Sequence, residues 1–335
     1  MKSPLNFENT GSVHILKEAE KILIRRGKPI IDEVKKEVLG EKFLDKKLGR
    51  ALRYFMSRWN DLVRPALVWL ACEVVDGEPE KTAPLAKALT LISACSEVHD
   101  DIIDKTKVKQ KRLTVLGKFG LETAVLVGDV LMLKGLTALH ELGKKIPKTK
   151  IFMVRDIIKG LFLELADAEA LELKFVGSLK IRPQTYINIL TKKAADIEAC
   201  TYTGAILGEG SKKEVEALKA YGRYLGVLSL VKDEIADTIK PSLLLQRIKN
   251  EVLPLPVIYT LKKKPKGLTE ILTNPRRENT HEMIKIVYES GGFDEVEKVM
   301  RKLATKTFDA LKRLQPCKAR SHLEVLLKAV IPPQI

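Results

Sequence analysis

Two short acidic motifs, each at the end of an apolar stretch, are candidate metal-binding sites. Each has two adjacent acids and a third acid three residues further on, namely Asp100, Asp101 and Asp104 in VHDDIID and Asp233, Glu234 and Asp237 in VKDEIAD. On a helix this spacing places the acids on one face, where their charges repel one another. Carboxylates clustered without histidine or thiolate are ligands for a hard cation, and Mg²⁺ is the usual choice. One such motif alone is more often a solvated helix face, but the second motif favours a metal site.

Two acidic turns on two long helices can face one cavity and hold several magnesium ions between them. Such ions would clamp a diphosphate and absorb the negative charge that develops as it leaves carbon. The chain turns basic directly after Asp104, in KTKVKQKR, and Lys109 in this run is a candidate ligand for the phosphates. These residues therefore suggest the metal-assisted departure of a diphosphate group.

Helices must position these acids, because nearly every segment of the chain carries apolar residues at helical spacing. A first helix is predicted to begin at Ser12, a candidate cap, and to end at Gly27. Further helices are predicted at roughly 42–57, 62–76, 82–104, 120–143, 148–175, 183–208 and 212–239, with shorter ones towards the C-terminus. Neither a strand-like run bounded by hairpin turns nor a low-complexity linker is found. We therefore predict an all-α protein, a single domain over residues 1–335 built as a bundle of ten or more helices.

The charge of the chain narrows the classes of partner. Lys+Arg 59 against Asp+Glu 43 gives a net charge of +16, which suits phosphorylated substrates or an acidic membrane surface, or simply makes a solvated basic surface. Lysine runs such as KKKPKG are not interleaved with aromatic residues, so no nucleic-acid partner is predicted. The apolar stretch AVLVGDVLMLKGLTAL is interrupted by Asp129 and Lys134. We therefore predict no transmembrane segment, and any contact with a membrane would be transient.

Cysteine usage and the N-terminus indicate a cytoplasmic protein. The four cysteines, Cys72, Cys95, Cys200 and Cys317, are isolated and form no zinc-binding pattern with the histidines. Isolated thiols are expected to stay reduced, as in the cytoplasm. The N-terminal segment MKSPLNFENTG lacks the apolar core of a signal peptide.

With both acidic motifs placed, residues 40–265 resemble the trans-isoprenyl diphosphate synthases, the polyprenyl synthetase family. VHDDIID is similar to the first aspartate-rich motif of that family and VKDEIAD to the second, with Glu234 in place of an aspartate. GKFGLETAVLVGDVLML and KKAADIEACTYTGAILG resemble two further stretches of the family. The resemblance implies the class I isoprenoid synthase fold, in which helices surround a deep central cavity. It also implies several Mg²⁺ ions, an allylic prenyl diphosphate substrate and a homodimer.

The resemblance also implies roles for individual residues. The metal ligands would be Asp100, Asp104, Asp233, Glu234 and Asp237, and the catalytic acids Asp100, Asp101, Asp104, Asp233 and Asp237. The diphosphate ligands would be Lys109, Lys192, Arg64 and Lys240. Glu169 and Glu172 stand where the family has a glutamine and an aspartate, so both are expected in the substrate pocket. The glycine-rich loop that carries a lysine after the second motif is shortened here, and Lys240, Arg247 or Lys249 would replace that lysine.

Three departures fall where the family binds its second substrate, isopentenyl diphosphate. Asp61 stands at a lysine position, Ser93 at a histidine or glutamine position, and Gln110 at an arginine position. Each lost charge-assisted contact is worth about 1.5–3 kcal/mol, and the Asp61 carboxylate would repel the anion. The alternative is that neighbouring cations, Arg58 and Arg53, reach into the site.

Small side chains before the first motif predict a deep apolar pocket. Ile92, Ser93 and Ser96 lie one to two turns before Asp100 on the same helix face. Because no aromatic residue closes the floor, a prenyl chain of about fifteen carbons or more is expected, unless another helix fills the gap. Glu97 shares a face with the acids of the motif and would be a pocket base, an extra acid near the metal or a hydrogen-bonded structural residue.

Three functions fit these patterns. The leading hypothesis is an enzyme that ionises an allylic prenyl diphosphate with magnesium and does not condense it with isopentenyl diphosphate, as terpene synthases do. The alternative is a chain-elongating prenyltransferase with an altered isopentenyl diphosphate pocket. A third is a non-catalytic partner subunit of a prenyl synthase, against which the two intact acidic motifs argue. Fold resemblance alone does not choose among them.

Overall fold

The computed structural model describes residues 10–109, 111–144 and 146–332, and within them the chain is almost entirely helical. The helices are α1 (Thr10–Leu39), α2 (Lys46–Met56), α3 (Val63–Val74), α4 (Ala83–Ile103), α5 (Val115–Phe119), α6 (Leu121–Gly143), α7 (Lys148–Phe175), α8 (Pro183–Lys193), α9 (Ala195–Leu207), α10 (Lys212–Thr238), α11 (Pro241–Asn250), α12 (Leu255–Lys262), α13 (Leu268–Thr273), α14 (Thr280–Glu289), α15 (Gly292–Lys312) and α16 (Lys318–Val330). Buried apolar side chains from Ala19 to Ile331 form one core among these helices. The prediction of an all-α bundle with ten or more helices is therefore confirmed.

Both acidic motifs lie at the C-terminal ends of long helices. Helix α4 has Pro84 in its first turn, where a proline needs no amide hydrogen, and it ends at Asp104. Helix α10 begins with a capping box between Ser211 and Glu214. Negative side chains at the C-terminal end of a helix are unfavourable because the helix dipole is negative there. A bound cation would relieve this repulsion at both motifs.

Three local features differ from the sequence prediction. Helix α1 does not end at Gly27 but continues through Pro29 to Leu39. Gly27 instead allows a close approach, because a Cβ there would lie 2.4 Å from the Leu62 carbonyl oxygen. The segment 183–208 is two helices, since the regular helix breaks at Ala194. A short antiparallel hairpin pairs Val108–Lys109 with Arg112–Leu113, and these strands are too short for a periodicity argument to detect.

Helix α6 packs along α4 but leaves part of its apolar surface open. A Cβ at Gly135 would lie 3.1 Å from the Ile92 side chain, so the two helices are in close contact there. On the outside of α6 five large apolar side chains are exposed, namely Leu121, Val125, Leu126, Leu133 and Leu136. By length and composition this helix could cross a membrane, with 39% of its most apolar window buried inside the protein.

Candidate active site

The ends of α4 and α10 face a common cavity of about 140 Å³. We call it the acid cavity, and its charged lining side chains are Asp104, Glu169, Glu172, Lys193, Asp233, Glu234, Arg247 and Glu251. Six carboxylates thus face two cations. The volume suits a small polar group, since pockets for larger ligands measure about 300–1,000 Å³. The expected length of the prenyl chain stays a prediction.

The pKa values of the motif aspartates are raised because surrounding protein removes solvent from their carboxylates and places other acids nearby, although Asp100 and Asp104 are only half-buried and Asp233 keeps an exposed surface. Burial, with Glu169 as the next cause, raises the pKa of Asp100 to about 7. Burial, with Glu251 nearby, raises the pKa of Asp104 to about 7. Burial, with Asp237 nearby, raises the pKa of Asp233 to about 6. Nearby cations, Lys193 for Asp100 and Asp104 and Lys232 for Asp233, offset only part of this rise.

The donor set fits a divalent metal bound together with substrate. Asp100, Asp104 and Asp233 form no ion pair with any residue that the structure describes. Within the described ranges, no three His, Cys, Asp or Glu side chains are already gathered around one point. Mg²⁺ commonly binds through one or two carboxylates and completes its shell with waters and substrate phosphates. The free carboxylates at the ends of α4 and α10 therefore suit Mg²⁺ bridged by a diphosphate.

The prediction that Glu234 binds metal is contradicted by its contacts. The Tyr186 hydroxyl donates to Glu234 Oε1 at 2.9 Å, and Arg247 Nη2 lies 2.7 Å from the same oxygen. The Leu255 backbone N–H donates to Oε2 at 2.8 Å. Both carboxylate oxygens of this buried residue are thus held by protein groups. Glu234 anchors α10 to α8, α11 and α12.

The predicted diphosphate lysine, Lys192, and its neighbour Lys193 lie on different faces of α8. Lys192 pairs with Asp167 at 3.0 Å and does not line the acid cavity. Lys193 does line it, 2.8 Å from a Glu169 oxygen and in contact with Glu172. Burial alone would lower the pKa of Lys193, but these two carboxylates raise it. Glu169, Glu172 and Lys193 therefore line the acid cavity together, and the place of the two acids in a substrate pocket stays a prediction.

Helical spacing could have identified Lys193. Tyr186, Leu190 and Lys193 all line the acid cavity, at positions four and seven residues apart that share one helix face. Neighbouring residues on a helix point in directions about 100° apart, so Lys192 faces elsewhere.

Of the three cations after the second motif, Lys240, Arg247 and Lys249, one lines the acid cavity. Lys240, predicted as a diphosphate ligand, is exposed at the start of α11 and outside the acid cavity lining, which contradicts that role. Lys249 is exposed as well. Arg247 is the cation inside the cavity. Helix α11 occupies the place of the glycine-rich loop, and the sequence could not show which of its faces turns inward.

A second pocket, of about 180 Å³, lies on the other side of the end of α4. We call it the tyrosine pocket; its polar lining comprises Tyr54, Arg58, Glu97, Asp101, Lys109, Arg112 and Thr114. The Arg58 guanidinium lies 4.1 Å from the Tyr54 ring centroid and donates to its hydroxyl at 2.6 Å. The Tyr54 hydroxyl donates in turn to the Leu113 carbonyl at 2.6 Å. Lys109 and Glu97 are paired at 3.5 Å, so Glu97 lies beside a predicted phosphate ligand.

Arg64, predicted as a diphosphate ligand, is neutralised inside the protein. Its Nη1 is 2.8 Å from Asp61 Oδ2, and its Nε donates to Asp196 Oδ2 at 3.1 Å. Two carboxylates therefore hold one guanidinium, just as two hold Lys193, and the role of Arg64 as a diphosphate ligand stays a prediction. Gln110, which stands at an arginine position of the family, lies outside the described residues.

The small residues on α4 do not open into either pocket. Ile92 is buried against α6 at Gly135, as in the alternative in which another helix fills the gap. Ser93 and Ser96 are half-buried and line neither the acid cavity nor the tyrosine pocket. Asp101 lines the tyrosine pocket, where burial raises its pKa to about 6.

Comparisons with known proteins agree with this architecture. Residues 45–290 match the polyprenyl synthetase family. The short chain isoprenyl diphosphate synthase of Methanothermobacter thermautotrophicus is 31% identical over 219 residues, 65% of this chain and 66% of that protein. The geranylgeranyl diphosphate synthase of Methanosarcina mazei is 27% identical over 208 residues, 62% of this chain and 64% of that protein. The chain thus spans about two thirds of the length of these curated relatives.

A solved structure extends the likeness beyond these alignments. The geranylgeranyl pyrophosphate synthetase from Pyrococcus horikoshii superposes with a TM-score of 0.84 at 26% identity, over 93% of this chain and 98% of that one. Since the family match covers most of the chain and both acidic motifs, the chain belongs to the polyprenyl synthetase family.

Proposed function

We propose that this protein is a magnesium-dependent prenyltransferase that lengthens an allylic prenyl diphosphate with isopentenyl diphosphate. The leading hypothesis from the sequence was ionisation without condensation, and chain elongation was its alternative. The relatives support chain elongation better, because they are named as synthases of isoprenyl and geranylgeranyl diphosphates. The leading hypothesis gave most weight to the three lost family groups. It gave too little weight to nearby cations, namely Arg58 directly after α2 and Lys109 and Arg112 in the hairpin.

The observation that carries the proposal is the charge of the acid cavity. With every acid ionised, the six carboxylates and two cations carry an excess of four negative charges, which would repel a diphosphate in the absence of metal. Magnesium ions bound there would neutralise the acids and the departing diphosphate. Asp100, Asp104 and Asp233 would hold these ions, and Lys193 would contact the diphosphate directly. A non-catalytic subunit would not need such an arrangement.

The second diphosphate would bind in the tyrosine pocket. Arg58, Lys109 and Arg112 bring three positive charges there against the two acids Glu97 and Asp101. Tyr54 fixes Arg58 through its ring and its hydroxyl. Planar guanidinium groups suit phosphate oxygens because they donate two parallel hydrogen bonds. This pocket would replace the site that Asp61 closes.

The end of α4 would separate the two substrates, because Asp104 faces the acid cavity and Asp101 the tyrosine pocket. In the reaction, the carbon–oxygen bond of the allylic diphosphate breaks and its carbon joins the double bond of isopentenyl diphosphate. Loss of one proton then leaves a longer prenyl diphosphate and free diphosphate.

Product analysis tests this function. Purified protein is incubated with Mg²⁺ and each of a series of allylic diphosphates, with and without isopentenyl diphosphate, and products are identified by mass spectrometry. We expect longer prenyl diphosphates only when both substrates and Mg²⁺ are present. Terpene alcohols or hydrocarbons formed from the allylic substrate alone would contradict the proposal.

We also propose that two copies pair through the exposed face of α6. Five large apolar side chains lie open on this helix, and such a face is typical of an interface. Glu122, Asp129 and Lys134 on the same helix favour a protein partner over lipid. A cytoplasmic homodimer is the assembly that fits these features.

A further inference from the structure

A groove on the protein surface lies between the segment that enters α8 and helix α12. Its volume is about 530 Å³. Its lining includes the apolar side chains Leu179, Ile181, Ile258 and Leu261 and the cations Arg182 and Lys262. Ile181 and Ile258 are buried, whereas the two cations are exposed. We call this surface the basic groove, because it has an apolar floor and its charged lining side chains are both positive.

The two cations of the basic groove are not neutralised. Neither Arg182 nor Lys262 forms an ion pair with a residue that the structure describes. Glu295, an acid close to Lys262, is already paired with Lys298 at 2.8 Å. Arg182 is also the N-cap residue of α8, so the positive end of that helix dipole lies at the groove. Five further exposed lysines lie in the chain near the lining residues, namely Lys174, Lys180, Lys263, Lys264 and Lys266. This surface therefore attracts anions.

The basic groove adjoins the opening of the acid cavity. Leu173 and Val176 line the acid cavity, yet they are 57% and 38% exposed. Leu179, three residues after Val176, lines the basic groove. Tyr186, four residues after Arg182, lines the acid cavity again. The segment 173–186 thus connects the two sites and places exposed apolar side chains beside the positive charges.

An anionic lipid bilayer matches this combination of charge and apolar surface. Lysine and arginine side chains near a membrane are attracted to anionic headgroups, and apolar side chains beside them enter the boundary between headgroups and acyl chains. Single-stranded nucleic acid would need aromatic platforms for its bases, whereas the groove lining has one aromatic ring, the half-buried Tyr259. We propose that the basic groove docks this protein on membranes that contain anionic lipids, with the opening of the acid cavity turned towards the bilayer.

This docking goes beyond the proposed function and does not depend on it. The two are compatible, because a prenyl chain is apolar and gains free energy when it leaves water. A product that leaves the acid cavity past Leu173 and Val176 would pass directly into the bilayer.

Vesicle flotation without substrate or Mg²⁺ tests the docking. Full-length protein is mixed with vesicles of phosphatidylcholine, with or without phosphatidylglycerol, and the bound fraction is measured. We expect binding only to vesicles that contain phosphatidylglycerol, and weaker binding as salt rises, because salt screens charges at a surface. Each lysine or arginine at an anionic surface raises affinity about fivefold, so the double variant Arg182→Gln/Lys262→Gln should bind about 25-fold more weakly.

The matched control is Lys212→Gln/Lys213→Gln, which removes two charges from exposed sites at the start of α10. At 1.5 Å per residue these sites lie about 30 Å along the helix from Asp233, and this variant should bind like the wild type. Wild-type binding by the groove variant, or equal losses in the two double variants, would overturn the proposal. So would a wild-type protein that binds duplex DNA as tightly as anionic vesicles. None of these outcomes changes the products expected of chain elongation, so failure of the docking and failure of the proposed function are distinguishable.

Discussion

Replacing Arg58 by alanine tests whether the tyrosine pocket holds the second diphosphate. The substitution removes a guanidinium that Tyr54 holds by stacking at 4.1 Å and by a hydrogen bond of 2.6 Å. A charge-assisted hydrogen bond contributes about 1.5–3 kcal/mol, and each 1.4 kcal/mol corresponds to about a factor of ten. Because Arg58 is exposed, we expect the lower end of this range, about a tenfold rise in KM for isopentenyl diphosphate.

Steady-state kinetics with one substrate varied at a time provide the assay. KM for the allylic substrate should stay close to the wild-type value, because Arg58 does not line the acid cavity. Arg53→Ala is the matched control, since Arg53 is an exposed arginine in the last turn of α2, shortly before Arg58, and does not line the tyrosine pocket. Equal effects of the two substitutions, or an effect on the allylic substrate alone, would refute the assignment.

Three further predictions follow from the cavity and the surface. Lys193→Ala should weaken binding of the allylic diphosphate at least tenfold, whereas Lys192→Ala should leave it unchanged. Inhibition by inorganic pyrophosphate measures binding in both variants. A larger loss in Lys192→Ala than in Lys193→Ala would contradict the assignment of Lys193. Asp104→Ala should depress turnover by orders of magnitude with an unchanged circular dichroism spectrum, because a hard-cation ligand is lost. Leu133→Glu on α6 should shift the protein to a monomer in analytical ultracentrifugation, whereas Leu44→Glu, at a fully exposed site elsewhere, should not. A dimeric Leu133→Glu would place the interface on another face.

The sequence predicted the helices well because their burial is periodic. Helix α10 buries an apolar stripe that includes Leu218, Leu225 and Val231, whereas α4 is buried on nearly all faces; both patterns are readable without a structure. The motif aspartates come directly after these apolar stretches, so the sequence also indicated which helix ends form the candidate site. Helix α1 was misread because glycine is a common helix end, whereas Gly27 serves a contact with Leu62.

The remaining parts of the site depend on contacts between distant residues. Arg64 looks available in the sequence, yet its second partner, Asp196, lies 132 residues away. Glu234 resembles a metal ligand until the contacts of its two oxygens, with Tyr186 and the Leu255 backbone among them, are known. Local spacing carries no information about such pairings, since they arise only when α8, α9 and α12 pack against the bundle.

The most direct test of the central claim compares diphosphate release with isopentenyl incorporation. The wild-type protein is given Mg²⁺, an allylic diphosphate and isotopically labelled isopentenyl diphosphate, and both products are quantified in the same reaction. The proposed reaction releases one diphosphate for every labelled isopentenyl unit that enters a longer prenyl diphosphate. Diphosphate released without labelled product would contradict chain elongation and would instead support the hypothesis of ionisation without condensation.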